Sequence, residues 1–166
     1  PEINEFQNKI NFDLTRAIAD SESLKLKYSS KKILKNYEPT GSKAKRLYEI
    51  AEKIRYESLG IQEYQGIKEN LLNHYSNRKP PQNKQDDIYF AFENYLRKEF
   101  FDLDKKLKLE KISVKFKNNF DKVFKAQINE IKKNINHQKN FNAAISEIIQ
   151  KLDIEDSSDY EEMDNK

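Results

Sequence analysis

Apolar residues recur at intervals of three and four along most of the chain, which is the spacing of one face of an α-helix. The first such stripe starts at Ile3 and comprises Phe6, Ile10, Leu14, Ala17 and Ile18. It predicts an amphipathic helix that ends before the polar residues 20–23. We expect this helix to pack against the rest of the protein through the stripe.

The segment that follows has a different period. Residues Leu24 to Tyr28 alternate between apolar and polar, residues 29–32 can turn the chain, and residues 33–37 can return alongside. Alternation with a period of two is typical of a half-buried strand. The pattern therefore predicts a small β-hairpin near the N-terminus.

Two helices are predicted after the hairpin. Pro39 and Gly41 interrupt the pattern, and Ser42 offers a hydroxyl that can cap the next helix. An apolar stripe then runs as far as Gly60, where a left-handed C-cap glycine is expected. Another stripe begins at Ile61 and ends at a polar loop that contains two adjacent prolines.

A fourth helix is predicted beyond this loop. Asp86 or Asp87 can cap its first turn, and its stripe reaches about Phe101. Several aromatic residues lie on the inner face of this stripe. Since aromatic side chains bury large apolar areas, we expect this helix to contribute to the core.

Two patterns compete in the chain after the fourth helix. Residues 107–116 alternate as strands do, whereas the stripe that starts at Phe116 has helical spacing. We favour a helix from about Ser113. The stripe continues to Leu152, and a break at residues 134–137 would divide it, so the pattern leaves open whether Phe116 to Leu152 is one helix or two.

Charge is distributed unevenly along the 166 residues, although the net charge is only +3. Residues 1–152 contain 30 Lys and Arg against 21 Asp and Glu, whereas residues 153–166 contain 1 against 7. The acidic segment has too few apolar residues to offset the entropy of ordering it. We therefore predict a helical domain at 1–152 and a disordered acidic tail or linker at 153–166.

Composition excludes several classes of protein. The chain has no cysteine, which excludes disulfides and thiolate chemistry. It also lacks a run of about 18 apolar residues, so no membrane span is predicted. Its first residues do not have the basic and apolar pattern of a signal peptide, and we expect a cytoplasmic location.

The sequence contains no motif that predicts catalysis or a bound cofactor. The stretch Gly41-Ser42-Lys43-Ala44 lacks the order of a phosphate-binding loop, and the two histidines do not form a zinc motif. Residues 156–160 only partly match the D-x-S-x-S magnesium motif of von Willebrand A domains, and we interpret them as part of the acidic tail. We predict no catalytic residue, no metal site and no cofactor in this chain.

Four blocks of the sequence, in order, resemble the N-terminal region of the T subunit of aerobic cobaltochelatase, the CobT family. The blocks are Leu14 to Ala19 with Leu24 to Tyr28, Glu52 to Gly60, Gly66 to Leu71, and Gln138 to Leu152. The second block is similar to the family pattern E-Q-x-R-x-E-A-[LI]-G, with Ser58 where alanine is usual. The segment between Tyr28 and Gly41 is shorter than in the family.

The resemblance implies a place in a multi-subunit enzyme. In this family the T subunit works with an AAA+ ATPase S subunit as a chaperone-like assembly. The pair drives a large N subunit that inserts cobalt into a corrin ring, an ATP-dependent ligase reaction of cobalamin biosynthesis. ATP, magnesium and cobalt would then be needed by the complex, and we expect this chain alone to be non-catalytic. The family's von Willebrand A domain follows the acidic linker, so we expect this chain to lack it.

Five positions within the resemblance are candidate contacts with the ATPase subunit: Arg55, Glu57, Gly60, Gly66 and Asn70. The first two flank the apolar stripe of the second predicted helix, and the other three shape the turn into the third. An intramolecular alternative stays open for all five. It consists of an arginine–glutamate pair between helices, a C-cap glycine and a loop satisfied by an amide.

Two other functions compete with an assembly role. The lysine-rich run from Lys105 to Lys117 is the densest basic segment and would serve a nucleic-acid-binding protein. The aromatic residues near it lie on the apolar stripe, so they are not free to stack on bases, and we do not expect nucleic acid to be a partner. The remaining alternative is an unrelated helical scaffold.

Overall fold

Seven α-helices form most of the protein in a computed structural model that describes the backbone of residues 5–76, 78–101 and 111–152 and the side chains of residues 12–76, 78–101 and 118–152. The helices are α1 (Glu5–Tyr28), α2 (Lys31–Asn36), α3 (Ser42–Glu63), α4 (Gln65–Ser76), α5 (Asp87–Phe101), α6 (Lys111–Lys133) and α7 (Gln138–Lys151). A 3₁₀ helix at Lys84–Asp86 precedes α5. The described residues contain no β-strand, so the mainly helical fold is confirmed and the hairpin is not.

The predicted β-hairpin is wrong because the buried residues of this segment have helical spacing, although its apolar and polar residues also alternate. Helix α1 runs through to Tyr28, and its buried positions Ala17, Ser21 and Leu24 are spaced by four and three residues. Leu26, which makes the segment look alternating, is 84% exposed. The returning strand is instead the short helix α2, whose first turn is capped by the Ser30 hydroxyl.

The first apolar stripe also packs differently from the prediction. Ala17 is buried, but Leu14 and Ile18 are 41% and 54% exposed. Helix α1 therefore contacts α3 and α4 through its C-terminal half, on the side that carries Ala17 and Leu24. Residues 12–16 are all exposed.

Helix α3 is the centre of the fold, since it packs against α1, α4, α5 and α7. Its buried face includes Leu47, Ala51 and Ile54. Gly41, at φ 100°, is the N-cap, and Ser42 is already the first helical residue, so the predicted serine cap is wrong. A φ of this sign is readily adopted only by glycine.

Gly60 is an interior residue of α3 and not its C-cap, because the helix continues to Glu63. It is buried where α1 crosses α3. A Cβ placed on Gly60 would lie 2.4 Å from both Cδ atoms of Leu24. The glycine therefore permits the close approach of the two helices.

The C-terminal half of the domain is packed through aromatic rings. Phe120 of α6 lies 4.7 Å from Tyr95 and 6.3 Å from Phe92 of α5, measured between ring centroids. Phe100 at the end of α5 contacts Phe141 of α7, with 5.8 Å between centroids. These edge and tilted contacts are the arrangements that aromatic pairs prefer.

Residues 134–137 form a turn, so the stripe from Phe116 to Leu152 belongs to two helices. The fourth predicted helix corresponds to α5, whose described residues reach Phe101. The predicted acidic tail at 153–166 lies outside the described residues, as do the side chains of the Lys105 to Lys117 run. No helix in the described residues is long and apolar enough to cross a membrane.

Two glycine substitutions test the role of Gly60. Gly66 lies in the first turn of α4, and a Cβ there meets no atom within 4 Å in the described part of the chain. Gly66→Ala should therefore raise the free energy of unfolding by about 0.4–1 kcal/mol. Gly60→Ala should be less stable than Gly66→Ala by about 1–3 kcal/mol, because Leu24 must move.

Urea unfolding of both variants and the parent measures the difference. Equal free energies of unfolding for Gly60→Ala and Gly66→Ala would show that the crossing of α1 and α3 does not require glycine.

Candidate functional site

A buried ion pair lies within α3. Glu52 and Arg55 are three residues apart, so they share a face of the helix, and their side chains are 2% and 1% exposed. The Nε of Arg55 donates to Oε2 of Glu52 at 3.0 Å, and its Nη2 donates to Oε1 at 2.9 Å. This two-point contact is the strongest geometry available to a guanidinium and a carboxylate.

The remaining donors of Arg55 reach the ends of two other helices. Its Nη2 also donates to the carbonyl oxygen of Tyr28 at 2.5 Å, and its Nη1 donates to that of Ile135 at 3.2 Å. Tyr28 ends α1, and Ile135 lies just after α6. Because helix C-termini have unpaired carbonyls and a partial negative charge, one cation stabilises both ends.

Glu52 accepts two further hydrogen bonds from other parts of the chain. The Ser29 hydroxyl donates to its Oε1 at 2.7 Å, and the Asn142 amide donates to its Oε2 at 2.8 Å. Beside this pair, Gln138 exchanges two hydrogen bonds with the backbone of Ser30, at 2.8 and 3.1 Å. We call Arg55, Glu52 and these neighbours the Arg55 network; it joins α1, α3 and α7.

A second buried carboxylate lies further along α3. Glu57 is 0% exposed and accepts hydrogen bonds from the Ser21 hydroxyl at 2.6 Å and from the Tyr75 hydroxyl at 2.7 Å. Burial raises the pKa of the Tyr75 hydroxyl, against the opposing charge of Arg97, and so keeps it protonated as a donor. These contacts connect α1, α3 and α4.

Arg97 extends this arrangement into α5. The Cζ of Arg97 lies 3.4 Å from the centroid of the Tyr75 ring, so the guanidinium stacks on that ring. Arg97 also forms an ion pair with Glu93. The Oε2 of Glu93 forms a second ion pair with Nη1 of Arg78, at 2.5 Å. Burial opposes ionisation of Glu93, but the two arginines outweigh it and hold the pKa of Glu93 below its ordinary value. We call this set, from Glu57 through Arg97 to Arg78, the Glu57 network.

Arg97 is not fully satisfied by the described residues. It is 1% exposed, and its Nε and Nη1 have no hydrogen-bond partner in the part of the chain that the structure describes. His74 lies next to Tyr75, and burial lowers its pKa, with a further decrease from the charges of Arg97, Lys53 and Arg78. The described residues contain no group of three His, Asp or Glu arranged to hold a metal ion.

The five predicted contact residues do not share one surface. Arg55 and Glu57 are buried in the two networks, and Gly60 is buried against α1. The Asn70 amide donates to a carboxylate oxygen of Asp20 at 2.8 Å, whereas Gly66 is exposed. Partner binding through these positions stays a prediction; Gly66 is exposed and Asn70 is half-buried, whereas the other three are buried.

The intramolecular alternative describes most of these positions, with two changes. Arg55 pairs with Glu52 of its own helix and not with a glutamate of another helix. Gly60 permits a helix crossing and does not cap a helix. Asn70 is satisfied within the chain as that alternative expects, although its partner Asp20 belongs to α1.

Several residues of the networks are not among the five candidate contacts predicted from the sequence. They are Glu52, Tyr75, Glu93, Arg97, Gln138 and Asn142. A signal exists for Glu93 and Arg97, because they are opposite charges four residues apart within a helix of aromatic residues. Asn142 gives a weaker signal, as a polar residue next to Phe141 in an apolar stripe.

The fold and the site define a helical domain whose buried charges link its helices from within. The family described as "Cobalamin biosynthesis protein CobT" matches residues 1–166. The chain therefore belongs to the CobT family, and its role lies in cobalamin biosynthesis. Comparisons with curated proteins and with solved structures give no match.

The Arg55 network should be strongly stabilising as a unit. Arg55→Met leaves the Glu52 carboxylate buried without its cation, which should lower the free energy of unfolding by about 3–5 kcal/mol. Lys133→Met is the matched control, since Lys133 and Glu130 form an exposed ion pair with the same spacing. That change should cost at most about 1 kcal/mol.

Chemical denaturation of both variants measures these costs. A loss for Arg55→Met no larger than that for Lys133→Met would contradict a buried, stabilising pair.

The lowered pKa of His74 predicts a pH dependence of stability. Below the ordinary pKa of histidine, about 6.5, the unfolded chain binds a proton that the folded chain resists. Stability from His74 is therefore complete above this pH and is lost as the pH falls through the window below it. Thermal melts between pH 7.5 and 5.5 should show a decrease that is smaller in His74→Gln.

His137→Gln is the control, because His137 is the only other histidine in the sequence and its side chain is exposed. An identical pH dependence in His74→Gln and the parent would refute this assignment.

Proposed function

We propose that this chain is a non-catalytic assembly domain of the T subunit of aerobic cobaltochelatase. In this proposal it docks with the AAA+ ATPase S subunit, and the assembly drives the large N subunit as cobalt is inserted into a corrin ring. The observation that carries the proposal is the CobT family match over residues 1–166. Cobalt is the substrate of the reaction, and ATP and magnesium belong to the complex.

The buried networks support an assembly role. Glu52, Arg55 and Glu57 direct their charged groups to partners inside the chain, and so does Glu93. Groups committed in this way stabilise the relative positions of α1, α3, α4, α5 and α7. A surface held rigid before binding loses less conformational entropy when a partner docks, which favours affinity.

The exposed part of α1 also supports a binding role. Leu14 and Ile18 are exposed and lie one helical turn apart, so they share a face of α1. Large apolar side chains clustered at the surface are more often part of an interface than singly scattered ones are. These residues give the domain apolar area for a partner, in addition to the predicted contact at Gly66.

A complex with the ATPase subunit is the direct test. The chain and the S subunit from the same genome are mixed and separated by size-exclusion chromatography, with ATP and magnesium and without them. We expect co-elution, and we expect the chain alone to show neither ATP hydrolysis nor a melting shift with nucleotide, since only a ligand that binds the folded state raises its stability.

Gly66→Arg tests whether this region forms the contact. Because Gly66 is exposed, the substitution should not lower the melting temperature, and it should weaken co-elution at least tenfold in apparent affinity. Gln62→Arg, at an exposed position of α3, serves as a control for charge. Replacement of Arg55 tests stability instead, since that residue is buried.

Two results would contradict the proposal. Failure of the parent chain to co-elute under any nucleotide condition would refute docking. A nucleotide-dependent melting shift of the chain alone would refute a purely non-catalytic role.

A further inference from the structure

The N-terminal half of α1 extends beyond the helices that pack around α3. Ala17, Ser21 and Leu24 are buried on one face of α1, but residues 12–16 are all exposed, and five consecutive residues span every side of a helix. We call residues 5–16 the free half of α1; it amounts to about three turns. A helix this short is marginally stable in water unless it packs through an apolar face.

The buried face of α1 continues into the free half as an apolar stripe of the sequence. Phe6, Ile10 and Leu14 follow one another at steps of four, and Ala17 comes three residues after Leu14. This spacing sets positions 6, 10 and 14 on the same face of the helix as Ala17. Leu14 is 41% exposed, so the stripe is available to another chain.

One flank of this stripe carries charges of alternating sign. Glu5, Lys9, Asp13 and Arg16 follow one another at steps of four, four and three, so their positions lie along one side of the helix. The other flank has neutral residues at positions 7 and 11. Asp13 and Arg16 are exposed, and among the described side chains neither forms an ion pair.

Two copies of the free half match one another when they run antiparallel. In a pair with twofold symmetry, a position i that faces position j of the other copy is matched by j facing i. With position 10 on the axis, Ile10 faces its own copy, and position 6 faces position 14, so these layers are all apolar. Position 5 then faces position 15, and the overlap ends before Ala17, where each copy meets its own α3 and α4.

The same pairing sets opposite charges at the same level. The twofold axis places the charged flank of one copy beside the charged flank of the other. Glu5 is then within one residue of the level of Arg16, and Lys9 is within two residues of the level of Asp13. These offsets are at most about 3 Å along the helix. A parallel pair would place the charged flank beside the neutral one, so the charges favour the antiparallel orientation.

We infer that two copies of this chain associate through the free halves of α1, as an antiparallel helix pair. A second copy is the occupant because the order of charges complements itself. The contact is limited to about three turns of each helix, so we expect a reversible dimer whose population depends on protein concentration. The inference goes beyond the proposed function, because the pair forms without an ATPase subunit.

A charge swap between copies tests this pairing. Lys9→Asp makes positions 9 and 13 both acidic, whereas Asp13→Lys makes them both basic. Each variant alone sets like charges level with one another in the pair, which opposes association. A 1:1 mixture sets the acidic positions of one copy level with the basic positions of the other. Both variants keep their unfavourable charges within each helix in the mixture, so recovery on mixing reports contact between chains.

Sedimentation equilibrium over a wide range of protein concentration measures the association. We expect the parent to dimerise, each variant alone to associate at least tenfold more weakly, and the mixture to form a 1:1 dimer with about the affinity of the parent. Glu22→Lys is the matched control, because it makes the same charge change as Asp13→Lys at an exposed position of α1 outside the free half. It should leave the dimer affinity unchanged. Circular dichroism checks that each variant keeps the helix content of the parent.

Several results would overturn the inference. A parent chain that stays monomeric at every concentration would leave the stripe to a different protein. Equal association of the separate variants and of their mixture would show that these charges do not meet across the pair. An equal loss for Glu22→Lys and Asp13→Lys would assign the effect to net charge. A dimer that does not co-elute with the S subunit would refute the proposed function and support this inference.

Discussion

The buried guanidinium of Arg55 is the constraint on which the arrangement of the helices depends. A charge removed from water at this depth destabilises the fold unless acceptors surround it with good geometry. Glu52 supplies two of them from the same helix, but the carbonyls of Tyr28 and Ile135 come from positions 27 and 80 residues away. The end of α1 and the turn after α6 must therefore both meet α3 at one point, and this requirement fixes how α1 and the α6–α7 pair are placed.

Two other residues of α3 also contact partners that are distant in the sequence. Glu57 is satisfied by hydroxyls of α1 and α4, and Gly60 lets Leu24 of α1 approach within contact distance. Arg55, Glu57 and Gly60 all lie in the block that resembles the CobT family pattern. Within the structure that block is the part of α3 where other helices cross it, so its polar residues have a structural role whatever partner the domain binds.

Most of the helices are predictable from sequence, because an apolar stripe with period 3.6 is a property of each segment alone. The helical structure of residues 24–36 was not predicted correctly, because Leu24 and Tyr28 are four residues apart and fit a helix as well as they fit an alternating strand. The burial of Arg55 and Glu57 is also beyond a local pattern. Both flank an apolar stripe, as exposed charges commonly do, and their partners, such as Ile135 and Tyr75, are distant in sequence. Only the tertiary fold decides whether such a charge faces water.

The Arg55 network also holds the turn between α6 and α7. The carbonyl of Ile135, in that turn, accepts from Arg55, and beyond the turn Asn142 of α7 donates to Glu52. The turn and the helix after it are thus bonded to the same ion pair in α3, which fixes their position before any partner arrives. A surface fixed in this way loses less conformational entropy when a partner docks, so the free energy invested in burying Arg55 also lowers the entropic cost of docking.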